Sequence, residues 1–138
     1  VSALAEALVA AQAELPCALG KDADGQIGQR SYRYLTLDKL IEATKPVLQA
    51  HGLTIIQWPS LKERGEDGAM PTLLTELHHS SGETLYHTMP LYLSEKTMQG
   101  LGAAITYARR YAWQSVLGIA AEEDTDGPAP DPTGDVPF

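Results

Sequence analysis

The chain has little sulfur and little positive charge. Among its 138 residues there is one cysteine, Cys17, and ten Lys or Arg stand against eighteen Asp or Glu. A single cysteine excludes an internal disulfide and a four-cysteine zinc site, and it makes a reducing, cytoplasmic setting the expected compartment. No apolar run approaches the length of a membrane span and no signal-peptide pattern follows Val1, so no membrane partner is expected. The missing initiator Met predicts a processed or trimmed start. No Gly-x-x-x-x-Gly-Lys-Ser/Thr loop occurs, so no nucleotide motor is indicated and no cofactor is expected. There is no internal repeat.

What is present reads as one globular domain. A composition that is 43% hydrophobic and 20% charged is ordinary for a folded chain, and this length suffices to bury a core. The formal net charge of −8 argues at first against nucleic acid. Its distribution changes that. Glu122, Glu123, Asp124, Asp126, Asp131 and Asp135 crowd the last stretch, which holds no base. The body keeps twelve acids against ten bases, a net of −2. A local basic patch on a near-neutral body is compatible with a polyanionic partner, because binding follows the local field and not the total.

Along the chain, Ser2 is placed to cap a first helix that buries Leu4, Leu8, Ala11 and Leu15. Residues 16–28, rich in glycine, read as a loop, and 30–34 as a short extended segment alternating charge and ring. Thr36 is a suitable N-cap for a second helix carrying Leu37, Leu40, Ile41, Val47 and Leu48. Pro46 is expected to kink or interrupt it, and His51-Gly52 to end it. Strands are expected at 53–58, 72–79 and 83–93, with a mobile hairpin loop over 61–71. A last helix spans about 97–117 and stops at Gly118. A tail follows with Pro128, Pro130, Pro132 and Pro137, expected to be disordered. Hence the expected fold is α+β, a small antiparallel three-stranded sheet packed against helices. Its folded domain is 1–121 and its acidic Pro/Gly-rich tail 122–138.

The last helix carries most of the chemistry. At helical periodicity Met98, Leu101, Ile105, Ala108, Ala112, Val116 and Ile119 form an apolar stripe. Gly100, Ala104, Tyr111 and Ser115 form a stripe of mostly small residues, suited to close approach of another element. Lys96, Gln99, Ala103, Thr106, Arg110 and Gln114 line the opposite side, with Tyr107 beside them. That side offers cations for phosphate oxygens, amide and hydroxyl groups for hydrogen bonds, and a ring on which a base stacks. Arg109 points beside the apolar stripe, as a contact or as a structural partner. The extended segment adds Arg30, Tyr32, Arg33 and Tyr34. The alternative stays open for both: charged helix stripes usually face water, and tyrosines usually pack.

Several runs then resemble the Erf family of phage single-strand annealing proteins. They are Tyr32-Arg33-Tyr34-Leu35-Thr36-Leu37-Asp38, Lys45-Pro46-Val47-Leu48 with His51-Gly52-Leu53, and Thr75-Glu76-Leu77-His78-His79-Ser80-Ser81-Gly82-Glu83. The most specific is Met98-Gln99-Gly100-Leu101-Gly102-Ala103-Ala104-Ile105-Thr106-Tyr107-Ala108-Arg109-Arg110-Tyr111. Leu117-Gly118-Ile119 and the acids at 122–126 complete the pattern. Ala103 departs from it, standing where the family usually has serine. The resemblance implies ATP-independent binding and annealing of single-stranded DNA in phage homologous recombination, inside a bacterial host cell, by an oligomeric ring or filament. It also implies a β-β-β-α core similar to that of eukaryotic strand-annealing mediators. DNA contacts are expected from Arg33, Lys96 and Arg110, with Arg30 and Arg109, and supporting ones from Tyr32, Gln99, Thr106 and Tyr107.

The final residues, Asp135-Val136-Pro137-Phe138, are similar to the acidic tip of bacterial single-strand-binding proteins. That implies docking to host replication or repair proteins, or to a phage exonuclease, or else folding back onto the basic groove; a merely solubilising tail is the alternative. Two other functions compete. His78, His79, His87, Glu76 and Glu83 sit near one hairpin and suggest a metal-dependent nuclease. Yet adjacent His78 and His79 point to opposite faces of a strand, and neither a catalytic set nor a metal site is expected. An acidic DNA mimic is the other, though acids concentrated in a flexible tail do not make the rigid array that mimicry needs.

Overall fold

In a computed structural model of the chain, which describes residues 2–27, 29–63 and 65–122, side-chain caps set the helix starts. Helix α1 (Ala3–Glu14) begins where the Ser2 hydroxyl accepts from the Ala5 amide, α2 (Leu37–Ala50) where Thr36 accepts from Lys39, and α3 (Met98–Leu117) where Thr97 accepts from Gly100. Each cap satisfies an amide that the helix itself leaves orphaned. Gly118 ends α3 in the left-handed region at φ 70°.

Pro46 lies inside an unbroken α2, so of the expected kink or interruption the interruption does not occur. Proline removes the bond to the Glu42 carbonyl, but both residues lie on the exposed side, where water can serve that carbonyl. Leu40, Thr44 and Leu48 anchor the buried side on both halves of the helix.

The glycine-rich stretch expected as loop holds strands instead. These are β1 (Ala18–Leu19) and β2 (Ala23–Ile27), the latter paired antiparallel with β3 (Arg30–Tyr34). Next come β4 (Leu53–Glu63), β5 (Ala69–His79) and β6 (Thr84–Pro90), an antiparallel sheet in the order β4-β5-β6. The expected loop over 61–71 shrinks to a 3-10 turn at Gly65–Asp67, because both strands run on as a two-stranded ribbon beyond the end of β6. Prolines suit this layout: Pro59 lies on an edge strand, Pro71 in the ribbon and Pro90 at a strand end. Finally β7 (Ala120–Ala121) pairs in parallel with β1.

Alternation sorts the sheet into two faces. Leu53, Ile55, Leu73, Leu77 and Met89 turn toward the helices, while Trp58 and Tyr86 on the other face are exposed. Two cores result. One gathers Leu4, Ala11, Leu40, Leu48, Leu53 and Leu77 with Trp113 and Leu117 of α3. The other gathers Leu73, Met89 and Leu91 with Ala108 of α3. The α3 helix therefore spans both. Its expected apolar stripe is buried or half-buried except at Met98, which the first turn leaves 82% exposed. The small-residue stripe does not form a continuous seam within the chain. A Cβ on Gly100 would lie 2.2 Å from the Glu95 carbonyl oxygen, whereas Tyr111 and Ser115 are exposed. The architecture is thus α+β with a β4-β5-β6-α3 order; the acidic tail lies outside the described residues.

Candidate nucleic-acid interface

Where β3 passes α3 and the start of α2, the surface opens into a groove of about 790 Å³. Its side chains come from three separate segments. Tyr32 and Tyr34 share one face of β3, their rings 5.8 Å apart. Tyr32 extends over Gly25 of the paired strand, so that a Cβ there would come 2.7 Å from the ring. Tyr107 and Tyr111 are one helical turn apart on α3 and meet at 4.6 Å, tilted by 43°. Between these groups sits the Arg110 guanidinium, 5.1 Å from the Tyr34 ring, 5.4 Å from Tyr107 and 5.3 Å from Tyr111. A weakly hydrated planar cation held by three rings stays charged and oriented while its N–H edge remains available to an anion.

The other wall is the beginning of α2, which contributes Thr36, Leu37, Asp38 and Ile41. Its position is fixed by Asp22. The Thr36 amide donates to one carboxylate oxygen at 2.8 Å and the Thr36 hydroxyl to the other at 2.6 Å. Partial desolvation pushes the exposed Asp22 carboxyl up, but the Thr36 bonds and the Lys39 charge together hold it below the ordinary carboxylate range. Lys39 itself donates to the Gly20 carbonyl at 2.9 Å.

Of the residues expected from sequence, Tyr32, Thr106, Tyr107, Arg109 and Arg110 come together in the groove wall. Arg33 does not. It points the other way from β3, 65% exposed, and pairs with Asp24 at 3.4 Å and with the Lys21 carbonyl at 3.0 Å. Lys96 and Gln99, beside the start of α3, are exposed and outside that wall. The Arg30 side chain and Asp135, Val136, Pro137 and Phe138 lie outside the described residues. Tyr34, a ring of the extended candidate segment, lines the groove as well; Thr36 and Asp38 carry no signal of this in the sequence, since chain folding alone brings them opposite α3. Ala103, standing where serine was expected from the resemblance, lines the groove and offers no hydroxyl there.

Arg109 also borders a second cavity of about 190 Å³ on its other side. Its carbonyl accepts from Gln57 at 3.1 Å, while its Nε and the Gln57 Oε1 are buried with no hydrogen-bond partner among the described residues. The histidine hairpin is occupied differently. His78 meets Glu76 at 2.6 Å and His79 meets Ser81 at 2.9 Å. The Glu83 carboxylate accepts from the Ser2 hydroxyl at 2.6 Å and the Leu4 amide at 3.2 Å, which holds it below its usual range. Among the described residues no three His, Cys, Asp or Glu converge as a metal site. No helix there is long and apolar enough to cross a membrane.

Fold and groove define a small α+β module whose groove sets Arg110 among tyrosine rings, with Arg109 in the same wall. The chain matches the ERF superfamily over residues 4–135 and belongs to that family, one of phage recombination and annealing proteins. No curated protein and no solved structure matches it.

Proposed function

We propose that this chain binds single-stranded DNA along the groove and anneals complementary strands without ATP, as a phage recombination protein assembled into a ring or filament. The observation that carries the reading is the Arg110 guanidinium fixed among Tyr34, Tyr107 and Tyr111. Phosphates are gripped by the cation, and rings provide sequence-blind platforms, so base edges stay free to meet their complements. Pairing then supplies the driving energy, and no nucleotide hydrolysis is needed. Self-association is supported by the outer sheet face, where Trp58 is 53% and Tyr86 76% exposed, and by the unpaired outer edges of β4 and β6 among the described residues. Many weak contacts along one strand add when protomers line up. Within the same reading, residues 122–138 form a separate acidic module, and Asp135, Val136, Pro137 and Phe138 recruit host repair proteins or an exonuclease.

The test is annealing of complementary oligonucleotides in buffer without ATP, followed with the unmodified chain and with Arg110→Ala and Arg110→Lys. The unmodified chain accelerates annealing. Arg110→Ala lowers the salt slope of single-strand affinity by about 0.7, the value of one phosphate contact on a single strand. Arg110→Lys keeps the charge but loses the plane that stacks, and recovers little. No acceleration by the unmodified chain, or an unchanged salt slope in a folded Arg110→Ala variant, removes the reading.

A further inference from the structure

The second cavity carries two cations and no acid. Its wall includes Lys45 and Arg109, with Leu48, Ile55 and Trp113 as apolar surface. That is unusual in a chain with a net charge of −8. Lys45 is exposed and forms no ion pair among the described residues, and the Arg109 Nε is buried without a hydrogen-bond acceptor. Two cations that meet no carboxylate among the described residues leave this wall positively charged, so an anion is what it suits. The cavity also adjoins the tyrosine groove, because Ile41 and Arg109 belong to both walls.

We propose that the two cavities form one track, in which Arg109 is the shared cation and Lys45 holds a further phosphate of the same strand. At about 190 Å³ the second cavity suits a phosphodiester with its sugar carbons against Leu48 and Ile55, and it offers no stacked pair of rings for bases. Bases therefore lie over the tyrosines, and the backbone continues past Ile41 toward β4. Lys45 is a binding residue in this arrangement, and Arg109 serves both compartments. The inference rests on the single-strand reading above and names an additional part of the same site.

Two measurements test it. Affinity for oligothymidylate is followed across a series of salt concentrations for the unmodified chain, Lys45→Gln, Lys45→Arg and Lys62→Gln. Lys62 is an exposed lysine on β4 that borders neither cavity. Lys45→Gln lowers the salt slope by about 0.7, Lys45→Arg restores it, and Lys62→Gln leaves it unchanged. Separately, Trp58→Phe leaves Trp113 as the single tryptophan of a chain that has two. Its emission changes when oligothymidylate binds, and Lys45→Gln reduces that change. An unchanged slope in Lys45→Gln, an equal loss in Lys62→Gln, or silent Trp113 emission overturns the track while leaving single-strand binding intact. Failure of the unmodified chain to bind oligothymidylate removes the underlying reading and the track together.

Discussion

Adjacent residues on one helix do different work here. Arg110 faces the rings, whereas Arg109, one position earlier, turns inward between two cavities. Helical periodicity already separates the two. What it does not carry is the third ring, since Tyr34 reaches Arg110 from a strand distant in sequence. Trp113 shows the same limit. A tryptophan on α3 reads as core, but its partner is not legible: the indole N–H donates to the Thr44 hydroxyl at 2.9 Å, and that hydroxyl donates to the Leu40 carbonyl at 2.8 Å. Thr44 is fully buried and Trp113 nearly so. Thr44→Val keeps the shape but strands the indole N–H, so thermal or denaturant unfolding should register a loss of about 1–3 kcal/mol. A loss below about 0.5 kcal/mol would mean the indole finds another acceptor.

At the scale of elements, long periodic segments were legible and short or glycine-rich ones were not. The three helices and the strands β4, β5 and β6 follow from caps and alternation. Strand β2 hid in a stretch that composition marks as loop, because Gly25 there serves a neighbour's ring and not a turn, whereas β3 coincides with the extended segment expected at 30–34. Its role gives a sharp expectation. Gly25→Ala meets only the far end of the Tyr32 side chain, which can swing aside, so the fold should survive. The displaced ring should weaken single-strand binding by up to about 3 kcal/mol, the value of one base–ring stack. Titration of oligothymidylate against the folded variant checks this; unaltered affinity would exclude Tyr32 from the interface.

For the molecule as a whole, two carboxylates tie distant parts together. Asp22 joins the segment before β2 to the cap of α2, and Glu83 at the β5-β6 turn caps α1. Both are held below the ordinary carboxylate range in the folded state, Asp22 by the Thr36 bonds and Lys39 against a partial loss of hydration, Glu83 chiefly by the Ser2 and Leu4 bonds. The unfolded chain therefore binds protons that the folded one refuses. Their contribution is complete above the ordinary carboxylate range and is lost as pH falls through it toward the lowered folded values. Urea midpoints measured from neutral pH down to about pH 3 should fall, and Asp22→Asn should flatten part of that fall; parallel curves for the two proteins would refute the linkage. The residues supplying these carboxylates were visible in the sequence, but their partners were not, since both contacts bridge elements.

The parallel bridge between β1 and β7 has a kinetic consequence. Ala18 lies against Ala120 and Leu19 against Ala121, so most of the polypeptide sits inside the ring this pairing closes. Such a ring is costly in chain entropy, and a ladder of two residues returns little. The seam should assemble after both cores and be the first to part in native fluctuations. Its parting would free Ala120, Ala121 and Glu122 from the edge at Leu19 while the helices and main sheet stay put, so the fold opens there before either core is disturbed.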